Sequence, residues 1–182
     1  MENSEKKVAG NDTMIEVVDY NANWPALFEQ ERNLLQDKLA LWVVAGIEHV
    51  GSTAVPNLIA KPVIDIMVPV ENLTSSKDAI AVARQLGYHY WPYKADLMHW
   101  FCKPSAAHRT NHLHMVPYKS TLWFDRLRFR DALRDDDTLA SEYTKLKQYL
   151  AKRHRHDREA YTEGKTEFVN RVVNNAKATL LL

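Results

Sequence analysis

Two runs rich in β-branched residues, 43–50 and 63–70, flank a short turn-rich connection, and the second run carries a lone carboxylate, Asp65, in its middle. Nothing else in the chain restricts the fold as tightly. Each run is bounded by Gly or Pro and reads as a buried strand. An aspartate inside an apolar strand is costly unless it binds a metal ion or is well hydrogen-bonded. The connection, Gly51-Ser52-Thr53-Ala54-Val55-Pro56, reads as a turn rather than a long helix. Gly lets the backbone approach a ligand closely, and Ser and Thr offer hydroxyls and N–H groups to phosphate oxygens. A tight turn beside a buried, satisfied aspartate accounts for the same residues equally well.

The remaining pattern places this pair in a mixed domain. Residues 1–12 lack apolar periodicity and read as a flexible tail. The stretch 14–20 reads as a first strand. Asn23 is placed to cap a helix with Pro25 in its first turn, and Leu27, Phe28, Glu31, Leu34, Leu35, Lys38 and Leu39 follow at helical spacing. A helix capped by Thr74 or Ser75 is expected to run to Leu86 and end at Gly87, with further strands at 88–91, 99–103 and 111–116. After Pro117 three helices are expected, over 121–134, 139–153 and 157–177. The architecture is α+β: one domain over 13–182, sheet-rich to 117 and helical from 118.

Composition narrows the partners. Twenty-four Lys and Arg against 23 Asp and Glu give a net charge of +1, which argues against a polyanion-coating protein and so against a nucleic-acid partner. The basic residues Lys145, Lys147, Lys152, Arg153, His154, Arg155, His156 and Arg158 cluster, but they fit a solvated helix end better than an RNA surface. Trp91, Tyr93, Trp100 and Trp123 fit a core better than a base-stacking platform. Cys102 is the only cysteine, so no intrachain disulfide or thiolate cluster forms, and a buried structural role is expected. No apolar run approaches the roughly 20 residues of a membrane span, and the first residues lack a signal peptide's apolar core. A cytoplasmic protein with no membrane association is expected.

Glu48-His49-Val50-Gly51-Ser52-Thr53-Ala54-Val55-Pro56, with Ala60-Lys61-Pro62-Val63-Ile64-Asp65-Ile66, resembles the GrpB family of the nucleotidyltransferase superfamily. The opening 17–25, the His112-Leu113-His114 strand, Phe129-Arg130-Asp131, Tyr161 and Lys165 match as well. The resemblance implies a nucleotidyltransferase-like mixed sheet flanked by helices. It also implies binding of a nucleotide or other phosphorylated small molecule, with nucleotidyl or phosphoryl transfer to a small acceptor. GrpB domains fused to dephospho-CoA kinase add a coenzyme A-pathway link.

In such folds a Gly-Ser turn precedes a strand bearing two alternating acids, with a third acid on a later strand. Gly51 and Ser52 match the turn and Asp65 the first acid. Met67 stands at the second, however, and His114 where the third is expected, so no two-metal centre assembles from the matched positions. A divalent cation (Mg²⁺ or Mn²⁺, with Zn²⁺ as the further candidate) would be held by Asp65 with Glu48, His112 or His114. Gly51, Ser52 and Thr53 would cradle a phosphate, with Lys61, Arg109, Arg130 and Lys165 neutralising it. His49 would orient Asp65, donate to a phosphate or serve as a general base. The same departure supports a non-catalytic domain that senses a nucleotide or a coenzyme A-pathway ligand.

Overall fold

The computed structural model describes residues 14–179; the expected tail at 1–12 lies outside them. Five strands form one mixed sheet in the order β1-β2-β5-β4-β3: β1 (Glu48–Val50), β2 (Ile64–Val70), β3 (His89–Trp91), β4 (His99–Pro104) and β5 (Arg109–Pro117). Only β2 and β5 run parallel, in the centre, with Asp65 opposite His112 and Met67 opposite His114. All other neighbours are antiparallel. The architecture is α+β.

Alternation sorts the strand residues onto two faces. Ile64, Ile66, Val68, Leu113, Met115 and Phe101 point to one side, where they pack against Phe28, Leu35 and Leu39 of helix α1 (Trp24–Lys38) and its C-terminus, and against Ala79 and Ala83 of α2 (Ala79–Gln85). Leu35 and Leu39 are fully buried, each worth about 2 kcal/mol of apolar burial. On the other side Val50, Met67 and Val116 meet Trp123 of α3 (Thr121–Asp135). Helix α4 (Asp137–Arg153), α5 (Arg158–Glu163) and α6 (Thr166–Thr179) complete the C-terminal layer. Val55 and Leu58 of the β1–β2 connection pack with Leu133, Tyr143, Phe168 and Val172, so the turn is anchored directly into this helical layer.

Several local expectations change. The stretch 14–20 forms an isolated antiparallel bridge, between Val18 and Ala60, and its other backbone bond, from the Ile15 N–H, goes to the Arg155 carbonyl just past the end of α4 rather than to a strand. The run 43–50 keeps only its last three residues as strand, since the N–H groups of Trp42 and Val43 return to the Leu39 carbonyl at the end of α1. Asn23 caps α1 by position, but its side chain accepts no capping bond. The helix expected from 74 begins at Ala79; Asn72 instead draws the N–H groups of Thr74 and Ser75 onto its side-chain oxygen and holds that segment in turns. Gly87, at φ +85°, ends it as expected. The single helix expected over 157–177 is two, α5 and α6, parted at Gly164, where a Cβ would stand 2.5 Å from Leu150 Cδ2. Helices α3, α4 and α5 start on side-chain caps from Ser120, Asp136 and Asp157.

Candidate functional site

The sheet register brings Asp65, His112 and His114 together. All three sit on the face turned towards α3, and one ligand atom from each lies within 4.8 Å of the others. His112 Nδ1 is 2.9 Å and His114 Nε2 3.3 Å from the same carboxylate oxygen, Asp65 Oδ1. Burial alone would raise the Asp65 pKa, but the hydrogen bonds and electrostatics of the two imidazoles together outweigh it and hold the carboxyl well below its usual range. Burial, reinforced by the Arg126 charge, lowers His114 to about 3 despite the carboxylate beside it. The His114 ring is therefore neutral and meets Asp65 as an N–H donor rather than as a cation.

The Gly51 backbone closes over this carboxylate. Its φ of +73° suits glycine, and a Cβ there would lie 2.4 Å from Asp65 Oδ2. Residues Ser52–Ala54 follow as a single 3-10 turn. Thr53 is buried; its hydroxyl donates to the Val63 carbonyl and lies 3.0 Å from His49 Nε2. His49 stacks on Phe28 in the core face, on the side of the sheet opposite Asp65. Burial pushes its pKa down to about 4, with Asp65 opposing and Arg134 and Arg130 assisting. His49 thus fixes the turn through Thr53, and its ring does not share a face with the carboxylate.

Glu48 shares the sheet face of Asp65, but Arg130 Nη1 lies 2.7 Å from its carboxylate, and Arg130 also binds Asp131 and the His49 carbonyl. Both residues are committed to joining α3 to β1. Neither faces the cluster as a ligand or as a free phosphate cation. Arg109 lies over Trp100, 5.4 Å from the ring centroid, and donates from Nε to the Ala106 carbonyl.

The lysines converge. Lys61 and Lys165 approach the same Tyr161 ring, at 5.1 and 4.4 Å from its centroid. Burial first, then Lys165 and other cations, lower Lys61 to about 8; burial likewise lowers Lys165 to about 8, with Asp65 opposing in both cases. A further lysine, Lys147 of α4, is only 2% exposed, with its Nζ 3.3 Å from Ser52 Oγ and in contact with the Ile59 carbonyl. It sits inside the basic run that reads as a solvated helix end. Its spacing told otherwise, because Tyr143, Lys147 and Leu150 fall on one helical face, all buried. Among the described residues no carboxylate lies within ion-pair distance of Lys61, Lys147 or Lys165.

This chemistry suits an anion at the turn. It also offers a single cation site of one carboxylate and two imidazoles, a donor set for a borderline metal such as Zn²⁺ or Mn²⁺. The fit has a cost. His112 Nε2 and His114 Nδ1 are buried without a hydrogen-bond partner, so the outer N–H that normally steadies a metal-bound imidazole has no acceptor. With N–H groups turned to Asp65 and lone pairs outward, no imidazole donor is orphaned. Val50 and Met67 fill the neighbouring positions of the same face, and Asp65, His112 and His114 are the one such ligand group found among the described residues.

Residues 14–175 match the family described as GrpB protein. A UPF0157 protein of Pseudomonas aeruginosa is 39% identical over 173 residues, covering 92% of this chain and 70% of that protein. Glutamate-rich protein GrpB of Alkalihalophilus pseudofirmus is 33% identical over 163 residues, 87% of this chain and 93% of that one. The crystal structure of conserved protein GrpB from Enterococcus faecalis superposes with a TM-score of 0.82 at 30% identity, over 92% of this chain and the whole of the other. Among the described residues no helix is long and apolar enough to cross a membrane.

Proposed function

The chain belongs to the GrpB family, and from that premise we propose that it binds a nucleotide or a related phosphorylated small molecule at the Gly51–Thr53 turn, with lysines in place of a two-metal centre. The observation that carries this reading is the pair Lys61 and Lys165. Two amines share one tyrosine ring, with no carboxylate in ion-pair distance among the described residues, and both feel the charge of Asp65, over which the Gly51 backbone closes. Gathering uncompensated cations in a half-buried site costs folding free energy, and a bound polyanion offsets that cost. Nucleoside phosphates are cytoplasmic ligands, and we place the protein there.

Transfer of a nucleotidyl or phosphoryl group is the second reading, favoured by the Asp65–His112–His114 cluster. A cation held there would polarise a phosphoryl oxygen. The chain's own part is to orient the carboxylate through the two imidazoles and to close the turn over it through Gly51.

Thermal unfolding separates the two, because a ligand specific to the folded state raises its stability. Nucleoside triphosphates and coenzyme A precursors are tested with and without Mg²⁺, Mn²⁺ and Zn²⁺, on the wild type, Lys165→Met and Asp65→Asn. Stabilisation lost in Lys165→Met and indifferent to metal supports lysine-held binding. Stabilisation that needs metal and disappears in Asp65→Asn supports the transfer centre. No stabilisation by any compound refutes both.

A further inference from the structure

Lys147 stands where neither binding nor the Asp65 cluster uses it. It reaches from α4 to the β1–β2 turn, passes over the Tyr143 ring at 4.7 Å from the centroid, and ends with Nζ between the Ile59 carbonyl and Ser52 Oγ. The Tyr143 hydroxyl interacts with the same Ser52 side chain. A lysine this buried, with no carboxylate in ion-pair distance among the described residues, is better accommodated as a neutral amine. A neutral amine has two N–H donors and one lone pair. The Ile59 carbonyl takes a donor; Nζ lies 3.3 Å from Ser52 Oγ, within reach for the lone pair of the neutral amine to accept the hydroxyl proton in place of donating to the oxygen. Burial, with Lys165 adding to it, lowers this amine to about 7, in keeping with that state.

We propose that Ser52 is a nucleophile towards phosphorus and that Lys147 is its general base, oriented by the Ile59 carbonyl and the Tyr143 ring. A nucleophile within hydrogen-bond reach of a base that a third group holds in place is the pattern such chemistry requires. The step balances without a metal or an oxidant. Its electrophile is a phosphoric anhydride: Ser52 Oγ forms a bond to phosphorus, the bridging P–O bond breaks, the departing phosphate keeps the electron pair, and the hydroxyl proton ends on Lys147 Nζ. The product is phosphoserine at position 52. Lys61 and Lys165, which share the Tyr161 ring and feel the charge of Asp65 beneath the Gly51 backbone, are the charges that would receive the anhydride's oxygens. The choice of anhydride rests on the phosphate-binding reading; the nucleophile and its base do not.

The test treats the full chain with a small alkyl phosphonofluoridate, followed by intact mass and peptide mapping. One adduct on Ser52 is expected, none in Ser52→Ala, and a rate roughly a hundredfold lower in Lys147→Met, given what general bases contribute. Lys147→Arg keeps a cation of similar reach without a lone pair, and should be as slow as Lys147→Met; it carries the test should the methionine variant not fold. An unlabelled Ser52 in the wild type overturns the proposal, as does an unchanged labelling rate in a folded Lys147 variant. A Ser52 adduct without stabilisation by any phosphorylated compound would keep the nucleophile and remove the phosphate-binding reading; the reverse pattern would do the opposite.

Discussion

Binding of a polyanion should draw protons out of solution, and the amount follows from the two lysines over Tyr161. Burial of both amines, reinforced at Lys61 by neighbouring cations, leaves Lys61 and Lys165 near 8, so at pH 8 each carries its proton about half the time. Phosphate oxygens between them favour the charged form of both. Saturating the site at pH 8 should therefore take up about one proton per ligand, rising to nearly two at pH 9, where the free amines are about nine-tenths neutral. Each unit by which the ligand raises one of these values is worth about 1.4 kcal/mol of binding. Calorimetric titration with a nucleoside triphosphate, in buffers of different ionisation enthalpy, reads the uptake as a slope. In Lys165→Met the slope at pH 8 should fall to about half. A slope of zero at both pH values, or proton release, would refute the idea that these amines receive the phosphates.

Two other perturbations probe the scaffold of the site. Gly51→Ala should lose at least about 1–2 kcal/mol from its positive φ alone, and more from the clash with Asp65; in denaturant titrations the double variant with Asp65→Ala should recover the clash part, and strict additivity would contradict the close approach. His49 is held neutral at about 4 when folded against an ordinary 6.5, so below pH 6.5 the unfolded chain binds its proton first. Stability should fall as pH drops from 6.5 towards 4, by up to about 1.4 kcal/mol per pH unit from this residue. His49→Gln should remove that component from the pH dependence of chemical unfolding, and an identical profile would sink the assignment.

The strands carrying the site were legible, the first from its β-branched run and the second from the alternation of His112, Leu113 and His114. The run around Asp65, bounded by Gly or Pro, and the stretch around His112 and His114 form β2 and β5 as expected. Their adjacency was not legible: only the parallel register of β2 on β5 puts Asp65 opposite His112, and no local pattern encodes which strands pair. His49 was drawn to the site by its place beside Gly51, although strand alternation sets it on the opposite face from Glu48 and Val50. Glu48 offered an oxygen in sequence, and a partner 82 residues away, Arg130, occupies it. Lys147 was hidden by charge, since a lysine in a basic run reads as solvated unless its helical face is counted with Tyr143 and Leu150. The break at Gly164 escaped because one glycine within an otherwise helical pattern carries little weight until Leu150 is seen to occupy the space of its side chain.

The central claim is a location: phosphates at the Gly51–Thr53 turn, met by Lys61 and Lys165. Backbone amide NMR during titration with a nucleoside triphosphate tests it most directly. The amides of Gly51, Ser52, Thr53 and Lys165 should shift together with one saturating curve, and Lys165→Met should flatten that curve while the rest of the spectrum stays folded. Shifts confined to the basic residues 152–158, with the turn unmoved, would contradict the account.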